Sequence, residues 1–368
     1  TIISIRMDCL KQIYNCQKIN IKSIEDFTLS TLELDVAQVC NMACAYCYLR
    51  GNTNEPQKFD RWDDLYELLR NVKLADKLTI GLTTGELFLD ETVEYIYNSV
   101  KKLNKINRFS DTEILYRLYS NGSNAKNIID IFDYIGSNKT MISISYDGKD
   151  STRVFKPNKD TDITKQLEIL ADSRYSDKII IRYALHKNIQ NMFDTFKFIH
   201  ELGFKNIEYY TVNNYDRYRD QDYIDEFISQ LEKTLDYFDG SDFKIYNINK
   251  YKELKNPRRL CEYGSSLAID LYGRLTMCPL SFGGDVIDET TIDLSDYKNL
   301  PDLYNKFQEE FIIDRSKLDC ATCNNQLCEE CCSFKSIPNS ENRLYQQCKL
   351  RHAELAVYDK LYKESSNV

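Results

Sequence analysis

Six short β-rich runs alternate with amphipathic segments through the middle of this 368-residue chain, and that order limits the fold more than any other feature. In the first run, Leu32 to Gln38, the residues Leu32, Leu34 and Val36 alternate with Glu33, Asp35 and Ala37, which is the period of a strand. The others are Lys77 to Leu82, Ile114 to Tyr119, Met141 to Tyr146, Lys178 to Leu185 and Ile207 to Val212. Between them Asp63 to Val72, Val93 to Leu103, Asn127 to Ile135, Ile163 to Asp172 and Met192 to Leu202 carry apolar residues at helical spacing, and Gly136 and Gly203 fit helix stops. The alternation implies right-handed βαβ units around a parallel sheet, an α/β fold in which six units make a partial (β/α)6 barrel rather than a closed eightfold one. Chemistry in such folds gathers at the C-terminal ends of the strands. There the chain places Cys40 to Cys47, then Thr83-Thr84-Gly85-Glu86, Ser120-Asn121-Gly122 and Asp147-Gly148. Any one of these glycines alone reads as a turn.

Thirteen cysteines are spread unevenly over this pattern. Cys40, Cys44 and Cys47 sit together, none follows until Cys261, and the tail adds Cys278, Cys320, Cys323, Cys328, Cys331, Cys332 and Cys348. The N-terminal TIISIRMDCLKQIYNC mixes charge into what would have to be an apolar signal segment, so export is not expected. No apolar run approaches the roughly 20 residues of a membrane helix, and a cytoplasmic location follows as the expectation. A reducing compartment does not keep a disulfide framework, which leaves metal ligation or catalysis as the reason for the cysteines. The 48 Lys and Arg against 57 Asp and Glu, net charge −9, form no basic stripe, so a nucleic-acid partner is disfavoured.

Three cysteines in one prescribed CxxxCxxC spacing arise by chance in roughly one or two such chains per hundred. Zinc is the competing reading, but structural zinc wants four ligands, and His186, His200 and His352 are all distant in sequence. Three thiolates on one short loop suit an iron–sulfur cluster with one iron left open to a further ligand.

The segment VCNMACAYCY resembles the cluster loop of the radical S-adenosylmethionine (SAM) enzymes, CxxxCxΦC with an aromatic, here Tyr46, before the last cysteine. The resemblance implies that Cys40, Cys44 and Cys47 hold a 4Fe-4S cluster whose fourth iron is chelated by the amine and carboxylate of SAM. One-electron reduction then cleaves the sulfonium to a 5′-deoxyadenosyl radical that takes a hydrogen from substrate, while the protein orients the partners. Thr84-Gly85-Glu86-Leu87 stands where the family has GGEP, and Gly85 and Glu86 would receive the SAM ammonium. Ser120-Asn121-Gly122 is similar to the family's TNG, with a hydroxyl for the ribose or the carboxylate. Ser143, Ser145 and Arg182 occupy positions that touch ribose and carboxylate in relatives, although an arginine at a strand end is also an ordinary ion-pair partner.

The tail resembles the SPASM extension of this family, which binds two auxiliary 4Fe-4S clusters. By position Cys261, Cys278 and Cys332 would serve the first, and Cys320, Cys323, Cys328 and Cys348 the second, with one residue fewer than the pattern between Cys323 and Cys328. Relatives carry an extra cysteine before the position of Cys261. Its absence leaves the first cluster one ligand short, and Cys331 is poorly placed to help because neighbours on an extended backbone face opposite ways. An open iron there could take a substrate thiolate. Cys9 and Cys16 read as core or helix residues. The expected division is a short segment 1–30, a barrel 31–240 and a SPASM-like domain 241–368.

SPASM relatives mostly modify peptides, so the resemblance implies a maturase of a ribosomally made peptide that forms a thioether or other crosslink under anaerobic conditions. Epimerisation, sulfatase-maturase-like oxidation and small-molecule dehydrogenation are the alternatives, and an electron-transfer or zinc scaffold is the non-enzymatic one. Relatives that make formylglycine carry an aspartate base after the cysteine matching Cys278, where this chain has Pro279. Expected partners are a peptide with its leader and an external one-electron donor such as flavodoxin or ferredoxin; since only 39 residues precede Cys40, the leader is expected to be read either by a separate leader-binding protein or by the barrel's own acidic surface.

Overall fold

The computed structural model describes residues 21–47, 58–83, 85–106, 111–149, 151–157, 161–212, 220–248, 265–278, 290–306 and 340–363. Six parallel strands run side by side in chain order: β1 (Thr28–Asp35), β2 (Lys73–Thr83), β3 (Glu113–Ser120), β4 (Thr140–Ser145), β5 (Ile179–Leu185) and β6 (Asn206–Thr211). Their crossovers carry α1 (Trp62–Asn71), α2 (Val93–Leu103), α3 (Ala125–Ile135), α4 (Ile163–Ala171) and α5 (Met192–Leu202), and α6 (Gln221–Phe238) follows β6. Asn124 caps α3 by accepting the Asn127 N–H, and Gly136 and Gly203 close α3 and α5 with positive φ, as expected of helix stops.

The edges come from later in the chain. The two-residue β7 (Lys244–Ile245) pairs in parallel with β6, and β8 (Ser266–Ile269) pairs in parallel with β1. Antiparallel β9 (Arg274–Thr276) and β10 (Ile292–Asp293) extend the β8 side. The resulting ten-stranded sheet does not close on itself, so the architecture is the partial barrel expected from the strand count.

The strands divide cleanly by face. Tyr183 and Tyr209 meet Phe196 of α5, and Leu78, Ile80, Leu82, Leu118, Ile142, Ile144, Ile179 and Ile181 belong with them to one buried apolar cluster. The opposite face carries Glu33, Asp35, Thr83, Arg117, Tyr119, Ser143, Ser145, Arg182, Glu208 and Tyr210, because alternate residues of a strand point opposite ways.

Two further helices are the short α7 (Leu300–Lys306) and the 24-residue α8 (Ser340–Lys363). α8 packs on α6, and its Glu354 accepts hydrogen bonds from Tyr209 of β6 and from Tyr358 (3.0 Å) while pairing with Arg351, all within the buried interior. Cys348 falls on this helix. Among the described residues no helix is long and apolar enough to cross a membrane.

Candidate functional site

Beyond Asp35 the chain leaves the sheet and carries Cys40, Cys44 and Cys47 on one loop at the C-terminal end of the parallel strands. Three segments hold that loop. The Glu86 N–H donates to the Val39 carbonyl at 2.6 Å, and Gly85 lies so close that a Cβ there would overlap the same carbonyl, at a φ of +65°. From the loop after β3, Asn121 Nδ2 donates to Asn41 Oδ1 (2.7 Å) and Asn41 Nδ2 donates to Ser123 Oγ (3.1 Å), all three side chains being buried. The third segment, residues 151–157, returns from β4 and forms an antiparallel ribbon with the cysteine loop. Ala43 N–H donates to the Val154 carbonyl and Lys156 N–H to the Asn41 carbonyl, both at 2.8 Å.

Gly85, Glu86, Ser120 and Asn121, singled out in the sequence, thus converge beside the cysteines. The Glu86 carboxylate is turned inward, accepting from Ser120 Oγ (2.9 Å), Phe88 N–H (3.1 Å) and Asn121 N–H. Burial pushes its pKa up to about 7, against those donors. Ser143 lies buried on the polar face of β4. Arg182 on β5 pairs with Glu208 of β6 and stacks on Tyr210 (4.5 Å to the ring centroid) and Tyr119 (5.3 Å). Both charged side chains keep about a quarter of their surface open, 26% and 25%, although protein surrounds them, so they line a chamber open to solvent.

Tyr46 donates to Asp147 Oδ2, whose other oxygen accepts the Ala184 N–H at 2.9 Å, and Arg153 Nη1 donates to Tyr46 Oη at 2.9 Å. His186 packs edge-on against the Tyr46 ring at 5.2 Å and shares a 3.1 Å hydrogen bond with Thr152 Oγ1. Distance along the sequence had set His186 apart from the loop, but it follows β5 directly and so arrives at the same end of the sheet. Burial, helped by Lys187, lowers its pKa and favours the neutral imidazole. Arg153 was not singled out from sequence. Its one signal was its place, six residues past the Asp147 that follows β4.

None of Cys40, Cys44 and Cys47 is in a disulfide. Burial pushes the Cys40 thiol up to about 11, and it raises Cys44 as well, with Arg153 opposing. Only the thiolate binds metal, so ionisation here needs a metal cation to replace the proton. Among the described residues no three His, Cys, Asp or Glu groups lie close enough for one metal ion. A single zinc would draw its thiolates to about 2.3 Å from one point, whereas a cluster spreads them over several irons. Three soft thiol donors on one loop are a set that suits an iron–sulfur cluster with one iron left open.

Of the other expected ligands, Cys278 follows β9 and is partly buried. Cys261, Cys320, Cys323, Cys328 and Cys332 lie outside the described residues, as do Cys9, Cys16, Thr84, Pro279 and Cys331.

No family model matches the chain. It is 24% identical over 301 residues to the uncharacterized protein MJ0907 of Methanocaldococcus jannaschii, an alignment covering 78% of this chain and 97% of that protein. Among solved structures it is similar to native anSMEcpe with bound AdoMet and Cp18Cys peptide, with a TM-score of 0.65 and 14% identity over 92% of this chain and 99% of that one. Streptococcus suis SuiB bound to precursor peptide SuiA gives a TM-score of 0.53 and 16% identity over 82% of this chain and 70% of that one. These neighbours are radical SAM enzymes, and at such identities the likeness is one of fold: the chain folds as their partial barrel does.

Proposed function

We propose that this protein is a radical SAM enzyme acting on a peptide. The observation that carries the reading is the set of three cysteine thiols, outside any disulfide, on the loop after β1 of a barrel that resembles AdoMet-bound structures. Cys40, Cys44 and Cys47 would hold a 4Fe-4S cluster, and the bound cluster with SAM supplies a carbon radical able to abstract hydrogen from substrate.

The chain's own residues have separable tasks in that reading. Gly85 lets the Glu86 segment lie against Val39, which fixes the first cysteine. Glu86 ties that segment to Ser120 and Asn121, so the surfaces facing SAM from β2 and β3 move as one. Tyr46, held by Asp147 and Arg153, presents a fixed ring beside the third cysteine. The chamber lined by Tyr119, Arg182 and Tyr210 lies on the polar face, open to SAM and substrate, with Ser143 buried beside Tyr119.

A peptide substrate is favoured because the fold neighbours were solved with Cp18Cys and SuiA peptides. Within that class a thioether or other crosslink is the leading outcome, since the cysteine count of a SPASM-like tail (241–368) leaves the first auxiliary cluster open to a substrate thiolate. Cys261, Cys278 and Cys332 would ligate that cluster, and Cys320, Cys323, Cys328 and Cys348 the second. A flavodoxin- or ferredoxin-like protein would deliver the electron, and a separate protein would read the leader.

Anaerobic reconstitution should load about twelve iron atoms per chain for three clusters, or about four if the loop alone binds one. Reduced protein should convert SAM to 5′-deoxyadenosine, and Cys44→Ala should abolish this; zinc in place of iron, or unchanged turnover in the variant, rejects the reading. Mass spectrometry of a peptide encoded beside the gene then separates outcomes. A two-dalton loss means crosslinking or oxidation, and one deuterium gained in D₂O at otherwise constant mass means epimerisation.

A further inference from the structure

Every other arginine whose side chain is described pairs with a carboxylate, including Arg117 with Glu33 and Arg182 with Glu208 on the polar face of the sheet. Arg153 does not. Among the described residues its guanidinium donates to Tyr46 Oη (2.9 Å) and reaches Met42 Sδ (4.0 Å), and both of these belong to the cysteine loop. The Asp147 charge bears on it across the Tyr46 hydroxyl, which that carboxylate already engages. A half-buried guanidinium aimed at the cysteine loop, with no ion-pair partner among the described residues, implies an anion that arrives from outside the polypeptide.

The backbone keeps Arg153 there. Thr152, Val154 and Lys156 are hydrogen-bonded to Ala45, Ala43 and Asn41, so the guanidinium and the cysteines belong to one two-stranded ribbon. A cluster held by this loop would meet, at one edge, the guanidinium fixed against Tyr46.

We infer that Arg153 is the counter-charge of the cysteine loop: it offsets the negative charge of a cluster bound by Cys40, Cys44 and Cys47 and raises the potential at which that cluster accepts an electron. The inference rests on the proposed function. It assigns Arg153 a positioning and electrostatic role, one electron passing from a low-potential donor to the cluster with no bond made or broken. A fixed positive charge stabilises the more negative, reduced cluster, and low-dielectric surroundings strengthen the effect.

The test is a redox titration of the anaerobically reconstituted full chain, following by electron paramagnetic resonance the signal that SAM perturbs. Arg153→Gln should lower the reduced fraction at a fixed poise about tenfold, equivalent to about 59 mV for one electron. Arg153→Lys keeps the charge without the planar fork and should recover most of that loss. An unchanged midpoint in an iron-loaded Arg153→Gln variant overturns the inference, as does a lysine variant no better than glutamine. Loss of iron from both variants also overturns it, because the guanidinium would then be bracing the ribbon. Failure of the proposed function looks different: the unmodified chain would hold no iron, or no signal would respond to SAM.

Discussion

Ile181 and Arg182 are adjacent on β5 and live in different surroundings. Ile181 has no exposed surface and belongs to the helix-covered apolar cluster, while Arg182 looks into a chamber beside Glu208, Tyr119 and Tyr210. The same division runs from Leu34 and Asp35 on β1 to Tyr209 and Tyr210 on β6. Strands of a parallel sheet covered on both faces usually read as continuous apolar runs. Here the alternation persists, so one face supplies cohesion and the other gathers the polar and charged groups.

If that division is right, damage to the apolar face should cost stability and little else. Ile181→Ala removes a fully buried branched side chain from beneath the helices and should destabilise by about 4 kcal/mol. The urea midpoint would fall with an unchanged m-value, and the surviving folded fraction should load iron normally. A stable variant that failed to load iron would break the comparison.

The apolar face is also the part of the molecule that was legible in the sequence. α2 and α5 have the limits their 3.6-residue periodicity gives, and β2 to β6 contain nearly all of their expected runs. β1 differs for a physical reason. A register shift between Leu29 and Thr31 hides the alternation of its first half, and Phe59 N–H draws Val36 out of the ladder, so the strand is Thr28–Asp35 rather than Leu32 to Gln38. β7, β8, β9 and β10 have two to four residues each, too few to show any period, and their pairing is set by the edges they meet. In the site, cysteine spacing pointed to the loop and the glycine-marked turns to Gly85 and Ser120. Arg153 and His186 were not legible, because their place beside the loop depends on a ribbon and a strand end that join distant parts of the chain.

At the border of the two faces Glu86 makes stability depend on pH. Its carboxyl, raised by burial to about 7 from an ordinary 4.5, holds its proton longer in the folded state than in the unfolded chain. Between those values the native state binds more protons, so stability falls as pH rises. The contribution is complete below about 4.5, is lost through about 7, and amounts to about 3 kcal/mol. Thermal unfolding of the metal-free chain from pH 5 to 8 should show this slope, and Glu86→Gln should flatten it. Equal slopes would remove Glu86 as the cause.

On the polar face Gly81 marks how closely the charges are packed. A Cβ there would overlap the Glu33 carboxylate, which pairs with Arg117. Gly81→Ala should force that carboxylate aside at about 2 kcal/mol, in the range of an overpacked site. Gly81→Ala combined with Glu33→Gln, measured by the same denaturation, should cost less than the sum of the two single changes, because the neutral amide can move off Arg117 more cheaply. Strict additivity would mean that the strain lies elsewhere.

The smallest effect is expected from the pair that most resembles a stabilising interaction. Arg182 and Glu208 are an ion pair, but each keeps about a quarter of its side chain open to the chamber, so water compensates much of what either partner loses. Arg182→Met should therefore cost about 1 kcal/mol, well below the several kcal/mol of a dry buried pair. Arg182→Met with Glu208→Leu should return to within about 1 kcal/mol of the original stability, since no charge is left without a partner. Binding should move the other way: the double variant loses the guanidinium stacked on Tyr210 and Tyr119, so SAM or peptide affinity should fall by more than tenfold while the melting temperature holds. If stability collapsed and affinity stayed constant, Arg182 would belong with Ile181, and the polar face would be a second core.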